Sequence, residues 1–184
     1  MKVIAFAASS SKNSINKQLV TYAASLLDGA QVEVLDLNDY ELPLFSVDKE
    51  QELGKPQLAQ DFFAKIGASD ALIISFAEHN GSYTAAYKNL FDWCSRINQK
   101  IFQNKPVVLL ATSPGAGGAA NVLAAAVNSA PYFNAELKAS LSVPSFYQNF
   151  DVESGAITNR EIQQQLNDVM SKLNSVTSEH LISA

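Results

Sequence analysis

Three short segments concentrate the residue types that hold ligands. The first, Ser9-Ser10-Ser11-Lys12-Asn13-Ser14-Ile15-Asn16, gathers hydroxyl and amide donors around one lysine, between an apolar run and a segment with helical spacing. A strand-to-helix turn of this kind suits an anion. The first backbone N–H groups of a helix lack intrahelical partners, and the helix dipole favours negative charge there. Ser9, Ser11, Ser14 and Asn16 add neutral donors for phosphate oxygens, and Lys12 adds a nearby charge. A plainer alternative is that Ser14 or Asn13 only caps the helix. The GxxxxGK[ST] pattern of a P-loop is absent.

The second segment is Ala77-Glu78-His79-Asn80-Gly81-Ser82-Tyr83. Asn80-Gly81 permits positive φ, which lets main-chain N–H groups point at the heteroatoms of a flat ligand. His79 suits the edge or face of a ring, or it sits in solvent on an ordinary turn. The third segment, Thr112-Ser113-Pro114-Gly115-Ala116-Gly117-Gly118, has three glycines within four residues. That permits close backbone approach to a ligand, or simply a flexible connection.

These segments need elements to position them. Five short runs read as strands: Val3 to Ala8, Gln31 to Leu37, Ala71 to Phe76, Val107 to Ala111 and Leu137 to Val143. Between and after them lie helical spacings, on Ile15/Leu19/Ala23/Leu26, Leu58/Phe62/Phe63/Ile66, Ala86/Leu90/Phe91/Cys94, a small-residue stretch from about Gly118 to Ser129, and Ile162/Leu166/Val169/Met170/Leu173. Strict alternation predicts a parallel sheet with helices on both faces, an α/β three-layer sandwich. The first, third and fourth runs are continuously apolar, as for strands buried on both faces. The fifth alternates, with Lys138, Ser140 and Ser142 between apolar residues, and the second carries Glu33 and Asp36. Those two belong at edges. The flavodoxin-like order 2-1-3-4-5 meets this requirement, whereas 3-2-1-4-5 puts the apolar third strand at an edge. In the favoured order, the three polar segments follow the three inner strands and meet at the point where strand order reverses. The stretch from Asn38 to Lys55 has no obvious element.

Size and composition exclude several classes. The chain has 184 residues, 47% of them hydrophobic and 17% charged, which predicts one globular domain over 1–184. A net charge of −5 without a basic run argues against a nucleic-acid partner. One cysteine and two histidines provide neither an internal disulfide nor a zinc-type cluster. No apolar stretch reaches membrane-spanning length, and the N-terminus has no signal-peptide pattern, so a cytoplasmic protein is expected.

At the three segments the sequence resembles the NADPH-dependent FMN reductase family. That family's first loop reads approximately G-S-x-R-x-x-S-x-N. Residues Ala8 to Asn16 keep Ser9, Ser14 and Asn16, with Ala8 for the Gly and Ser11 for the Arg. The second family motif, approximately P-E-Y-N-x-S followed by L-K-N-x-x-D-W, is similar to Ala77-Glu78-His79-Asn80-Gly81-Ser82 and Tyr87-Lys88-Asn89-Leu90-Phe91-Asp92-Trp93. Ser113 to Gly118 is similar to the third loop. The resemblance covers roughly Met1 to Asn174, and the Lys-Asn-x-x-Asp-Trp part reads as helix packing.

The resemblance implies FMN as cofactor, NADPH or NADH as co-substrate, and hydride transfer to the flavin and on to a small-molecule acceptor. Free flavin, quinones, azo compounds, nitroaromatics and metal oxyanions all suit an open flavin face. It marks Ser9, Ser11, Ser14, Ile15, Asn16, Glu78, His79, Asn80, Gly81, Ser113, Gly115, Gly117 and Gly118 as cofactor-binding, with no catalytic side chain, since the cofactor carries the chemistry. It also implies a homodimer or homotetramer, with Tyr87, Phe91 and Trp93 either on that surface or in the core. The rival readings are a non-enzymatic electron carrier of the flavodoxin type and a nucleotide- or sugar-phosphate-binding protein without redox work.

Overall fold

The computed structural model describes residues 1–180, with side chains to residue 173. Strands β1 (Lys2–Ala8), β2 (Gln31–Leu35), β3 (Ala71–Phe76), β4 (Pro106–Thr112) and β5 (Glu136–Val143) form one parallel sheet in the order β2-β1-β3-β4-β5. Every residue of β1, β3 and β4 except Lys2 is buried, while β2 and β5 are partly exposed. The charge and alternation in the two edge strands therefore match their positions. Flavodoxin-like topology follows from that order.

The main helices are α1 (Ile15–Ser25), α2 (Val47–Leu53), α3 (Gln57–Gly67), α4 (Ala85–Ile97), α5 (Ala120–Ser129) and α6 (Arg160–His180). Successive strand residues face opposite sides. Val3, Ala5, Ala71, Ile73, Val108 and Leu110 pack with Leu19 and Val20 of α1 and with Leu166 and Met170 of α6. Ile4, Phe6, Leu72, Ile74, Val107 and Leu109 pack with Phe62 and Ile66 of α3, Leu90 and Trp93 of α4, and Val122 and Ala126 of α5. Each inner strand thus serves two cores, which is why it has no polar face.

The stretch without an obvious element contains two. Leu37–Tyr40 forms a 3₁₀ turn capped by Asp36, and Val47–Leu53 forms α2, where the Ser46 hydroxyl accepts from the Lys49 N–H. None of the residues of α2 is buried, so it carries no apolar stripe for periodicity to reveal. The second strand also ends earlier than expected, at Leu35, because the Asp36 side chain accepts from the Asn38 N–H and opens the turn.

The Lys-Asn-x-x-Asp-Trp motif fastens this connection to α4. Asn89 Oδ1 accepts from the Phe45 N–H at 2.8 Å, and its Nδ2 donates to the Leu42 carbonyl at 3.0 Å. Trp93 Nε1 donates to the Pro43 carbonyl at 2.8 Å. Tyr87 and Trp93 are buried and belong to the core, so they do not form an open surface for a second copy; Phe91 is half-buried.

Candidate functional site

The register brings the three sequence-selected segments together. Ala8 lies opposite Phe76, and Phe76 opposite Ala111, so the chain leaves β1, β3 and β4 side by side. Strand order reverses between β1 and β3, and parallel sheets open a crevice there beyond the carboxyl ends.

The first segment runs into α1. Ser14 is its N-cap, with the side-chain oxygen accepting from the Lys17 N–H at 3.2 Å. The capping alternative therefore holds, yet it leaves the serine O–H available to donate. Ser9 is buried and its hydroxyl accepts from the Ser11 N–H. Ser10, Ser11, Lys12 and Asn13 are exposed, Ile15 is half-buried, and the first turn of α1 contains no acid.

Asn16 points the other way. It is buried, its Oδ1 accepts from the Ser75 hydroxyl at 2.8 Å and the Thr112 N–H at 3.1 Å, and its Nδ2 donates to the Thr112 carbonyl. One carboxamide thus ties α1 to the ends of β3 and β4. The expectation that it donates to phosphate oxygens meets a side chain already engaged beneath the crevice floor. Thr84 acts similarly for α4: its hydroxyl donates to the Ala8 carbonyl at 3.0 Å and accepts from the Tyr87 N–H. Sequence reading passed over Ser75 and Thr84. A serine in an apolar strand, and a threonine before Ala-Ala, were the available signals.

The second segment is a small hairpin, Glu78–His79 paired with Ser82–Tyr83. Asn80 and Gly81 at its tip have φ of 52° and 75°, the left-handed pair that a two-residue hairpin turn requires. His79 is exposed. Glu78 reaches across to another element: its carboxylate accepts from the Val122 N–H at 2.9 Å and the Asn121 amide at 3.3 Å, in the first turn of α5.

The third segment is tied to the end of β5. Ser113 donates through its hydroxyl to the Gly115 carbonyl, and the Gly115 and Ser113 carbonyls accept from the Ser145 and Phe146 N–H groups. The glycines differ. A Cβ on Gly115 or Gly117 would meet nothing within 4 Å, whereas one on Gly118 would lie 2.3 Å from Ser142 Oγ and 3.1 Å from Pro144 N. Gly118 is therefore required by packing, and Gly115 and Gly117 leave open space.

A groove of about 400 Å³ opens beside the first segment, between Ser10, Leu37, Tyr40, Leu42, Leu44 and Ala85. An apolar cavity of about 360 Å³ lies between α4 and α5, lined by Tyr83, Phe91, Phe133 and Ala126. Cys94 is no nucleophile: burial pushes its thiol up to about 12. Burial likewise raises the Tyr87 phenol well above its ordinary range. Among the described residues, no group of three His, Cys, Asp or Glu side chains is arranged to hold a metal ion, and no helix is long and apolar enough to cross a membrane.

The sequence pattern of the NADPH-dependent FMN reductase family matches residues 1–145. The chain belongs to this family. Among its relatives, an NAD(P)H-dependent FMN reductase of Pseudomonas aeruginosa is 32% identical over 121 residues, 65% of this chain and 64% of that protein. An NADPH:quinone oxidoreductase of Arabidopsis thaliana is 31% identical over 122 residues, 64% of this chain and 61% of that protein. The matched regions thus span less than two thirds of these curated relatives. The flavoenzyme NAD(P)H:(acceptor) oxidoreductase FerB of Paracoccus denitrificans has the same fold, with a TM-score of 0.77 at 24% identity over 97% of this chain and 98% of that one.

The donor set of this family member fits FMN. Neutral hydroxyls, Lys12 and an acid-free helix N-terminus suit a terminal phosphate. A Cβ on Gly81, Gly115 or Gly117 would meet nothing within 4 Å, so the backbone of the second and third segments stays open to a flat group laid against it. The N-terminus of α5, which could otherwise cradle a second phosphate, already carries the Glu78 carboxylate.

Proposed function

We propose that the protein is a single-domain, FMN-dependent oxidoreductase that takes hydride from NADPH or NADH and passes electrons to a quinone- or flavin-type small molecule. The observation that carries this reading is the pairing of one open anion site with one closed one at the crevice: α1 begins with a serine cap and no acid, and α5 begins under a carboxylate. That pairing matches a cofactor with a single phosphate, FMN rather than FAD.

Bound FMN would supply the acceptance and release of hydride. The chain's own residues hold it and keep one face open. Ser9, Ser11, Ser14 and the N–H groups leading into Ile15 would receive the phosphate. The backbone of His79, Asn80 and Gly81, with Ser113, Gly115 and Gly117, would hold the ring. Asn16, Glu78 and Gly118 act by positioning those loops. Small residues at Gly115-Ala116-Gly117 leave no bulky side chain where a nicotinamide must stack within contact distance. An open face would serve nucleotide and acceptor in turn, with ping-pong kinetics, and this favours an enzyme over an electron carrier.

Released cofactor should run as FMN on chromatography, and NADH or NADPH should be oxidised with menadione to give parallel double-reciprocal lines. Gly117→Trp should slow reduction by nucleotide while FMN stays bound. A flavin that dithionite reduces and nucleotide does not would make the protein a carrier. The reading extends to a cytoplasmic protein that assembles as a homodimer or homotetramer. Assembly is supported by Leu44, in the groove beside the first segment, and by Val47, which are 79% and 62% exposed. Light scattering at micromolar concentration giving the mass of one chain would reject it.

A further inference from the structure

Helix α5 lacks a cap of its own. Its cap residue, Ala119, sits in the left-handed region at φ 59° and has no side-chain acceptor; the Ala120 N–H donates to the Gly117 carbonyl at 3.0 Å, and the N–H groups after it need partners from elsewhere. One comes from 44 residues away: Glu78 Oε2 accepts from the Val122 N–H at 2.9 Å, and Oε1 lies 3.3 Å from Asn121 Nδ2. The opposite strand of the same hairpin reaches the other end of α5, where the Tyr83 hydroxyl lies 3.2 Å from the Ser129 hydroxyl. Glu78 and Tyr83 are cross-strand partners, and Ser129 is the last residue of α5. One hairpin therefore grips the helix at both ends.

We propose that Glu78 is a positioning residue: its carboxylate caps α5 and locks the Asn80-Gly81 turn to the glycine loop, so that the two segments that would hold the flavin ring keep one spacing. This rests on reading the crevice as a flavin site. It assigns Glu78 to holding geometry and not to carrying a proton to the ring.

An exchange of partners separates the two roles. Asn121→Asp sets a second carboxylate against Glu78 and should break the contact. Glu78→Gln in that background restores it with the two groups swapped. The amide introduced at position 78 then donates to the carboxylate introduced at position 121, while its oxygen still accepts from the Val122 N–H. Glu78→Ala should weaken FMN binding about tenfold, in line with the loss of a charge-assisted hydrogen bond. Asn121→Asp should weaken it comparably, and the double variant should recover most of the loss. The pH profile of reduction by nucleotide should keep its shape in Glu78→Gln. A double variant no better than Asn121→Asp, or loss of one limb of the pH profile in Glu78→Gln with unchanged FMN affinity, would overturn the proposal.

Hydrogen exchange on the protein without flavin provides a second readout. In Glu78→Ala, exchange should rise in both the 77–84 and the 119–124 segments, and a rise in one alone refutes a shared lock. If the wild-type protein takes up no FMN at all, the functional reading falls, and the exchange result judges the lock by itself.

Discussion

Two helix N-termini open onto the same crevice and are treated in opposite ways. Helix α1 starts at the Ser14 hydroxyl, with exposed polar residues before it and no acid in its first turn. Helix α5 starts on a left-handed alanine and receives a carboxylate from a distant hairpin. The dipole is the same in both, so the dipole does not decide where a phosphate goes. What decides it is whether the protein supplies its own anion. At α1 it supplies neutral donors and no acid. At α5 it closes the site with Glu78.

The largest break in this contrast should come from Ser14→Asp. Aspartate caps a helix about as well as serine, so the fold should keep its stability. The added carboxylate would face the phosphate, and like charges about 4 Å apart repel by about 4 kcal/mol near a protein surface, so FMN affinity should fall at least about a hundredfold. Flavin titration beside a thermal melt reads both quantities. Unchanged affinity would place the phosphate elsewhere.

A smaller effect, on stability, separates the two kinds of glycine in the third loop. Gly118→Ala puts a Cβ 2.3 Å from Ser142 Oγ at a φ of +58°, and should cost about 1–3 kcal/mol in urea unfolding. Gly117→Ala meets open space and should change stability by about 0.5 kcal/mol or less. Equal losses at both positions would mean that the loop is not pinned against β5.

Lys12→Ala should weaken FMN binding less, roughly two- to fivefold, because an exposed charge contributes about 1 kcal/mol at most. The difference should shrink in added salt. A loss as large as that of Ser14→Asp would show that fixed charge, and not the neutral donors of the helix terminus, holds the anion.

The smallest expected change concerns Asp36, behind the first loop. A hydrogen bond from Lys17 Nζ at 2.5 Å, helped by the Asn38 N–H, holds its carboxyl below the ordinary carboxylate range. A depressed folded value stabilises the protein above the unfolded value of about 4 and loses that contribution as pH falls through the folded value. Asp36→Asn should therefore be slightly less stable than wild type at neutral pH, and the two should converge in acid. A gap that persists at low pH would point to the turn at Asn38 and not to the ion pair.

Much of the arrangement was legible because it depends on short-range chemistry. Apolar runs that fill both faces mark β1, β3 and β4 as interior, and polarity marks β2 and β5 as edges, so residue pattern ordered the sheet. The clustering of serine, asparagine and glycine after the three interior strands then located the crevice. Helix α2 was illegible for the converse reason: an element that buries nothing leaves no apolar period.

Residue roles within the crevice were a different matter. Ser14, Asn16, Glu78 and Gly118 all stand in the three polar segments, yet nothing in their spacing separates a ligand-facing group from a structural one. Folding turned Asn16 onto Ser75 and Thr112, sent Glu78 to the start of α5, and set Gly118 against Ser142. Each of those assignments depends on a partner 24 or more residues away. Sheet order and the meeting of the three polar segments can be read from the chain, because burial and local backbone preference are properties of each residue and its near neighbours. Which polar groups remain free for a cofactor is settled only in three dimensions, because a hydrogen bond is used up by whatever the packed chain brings within about 3 Å of it.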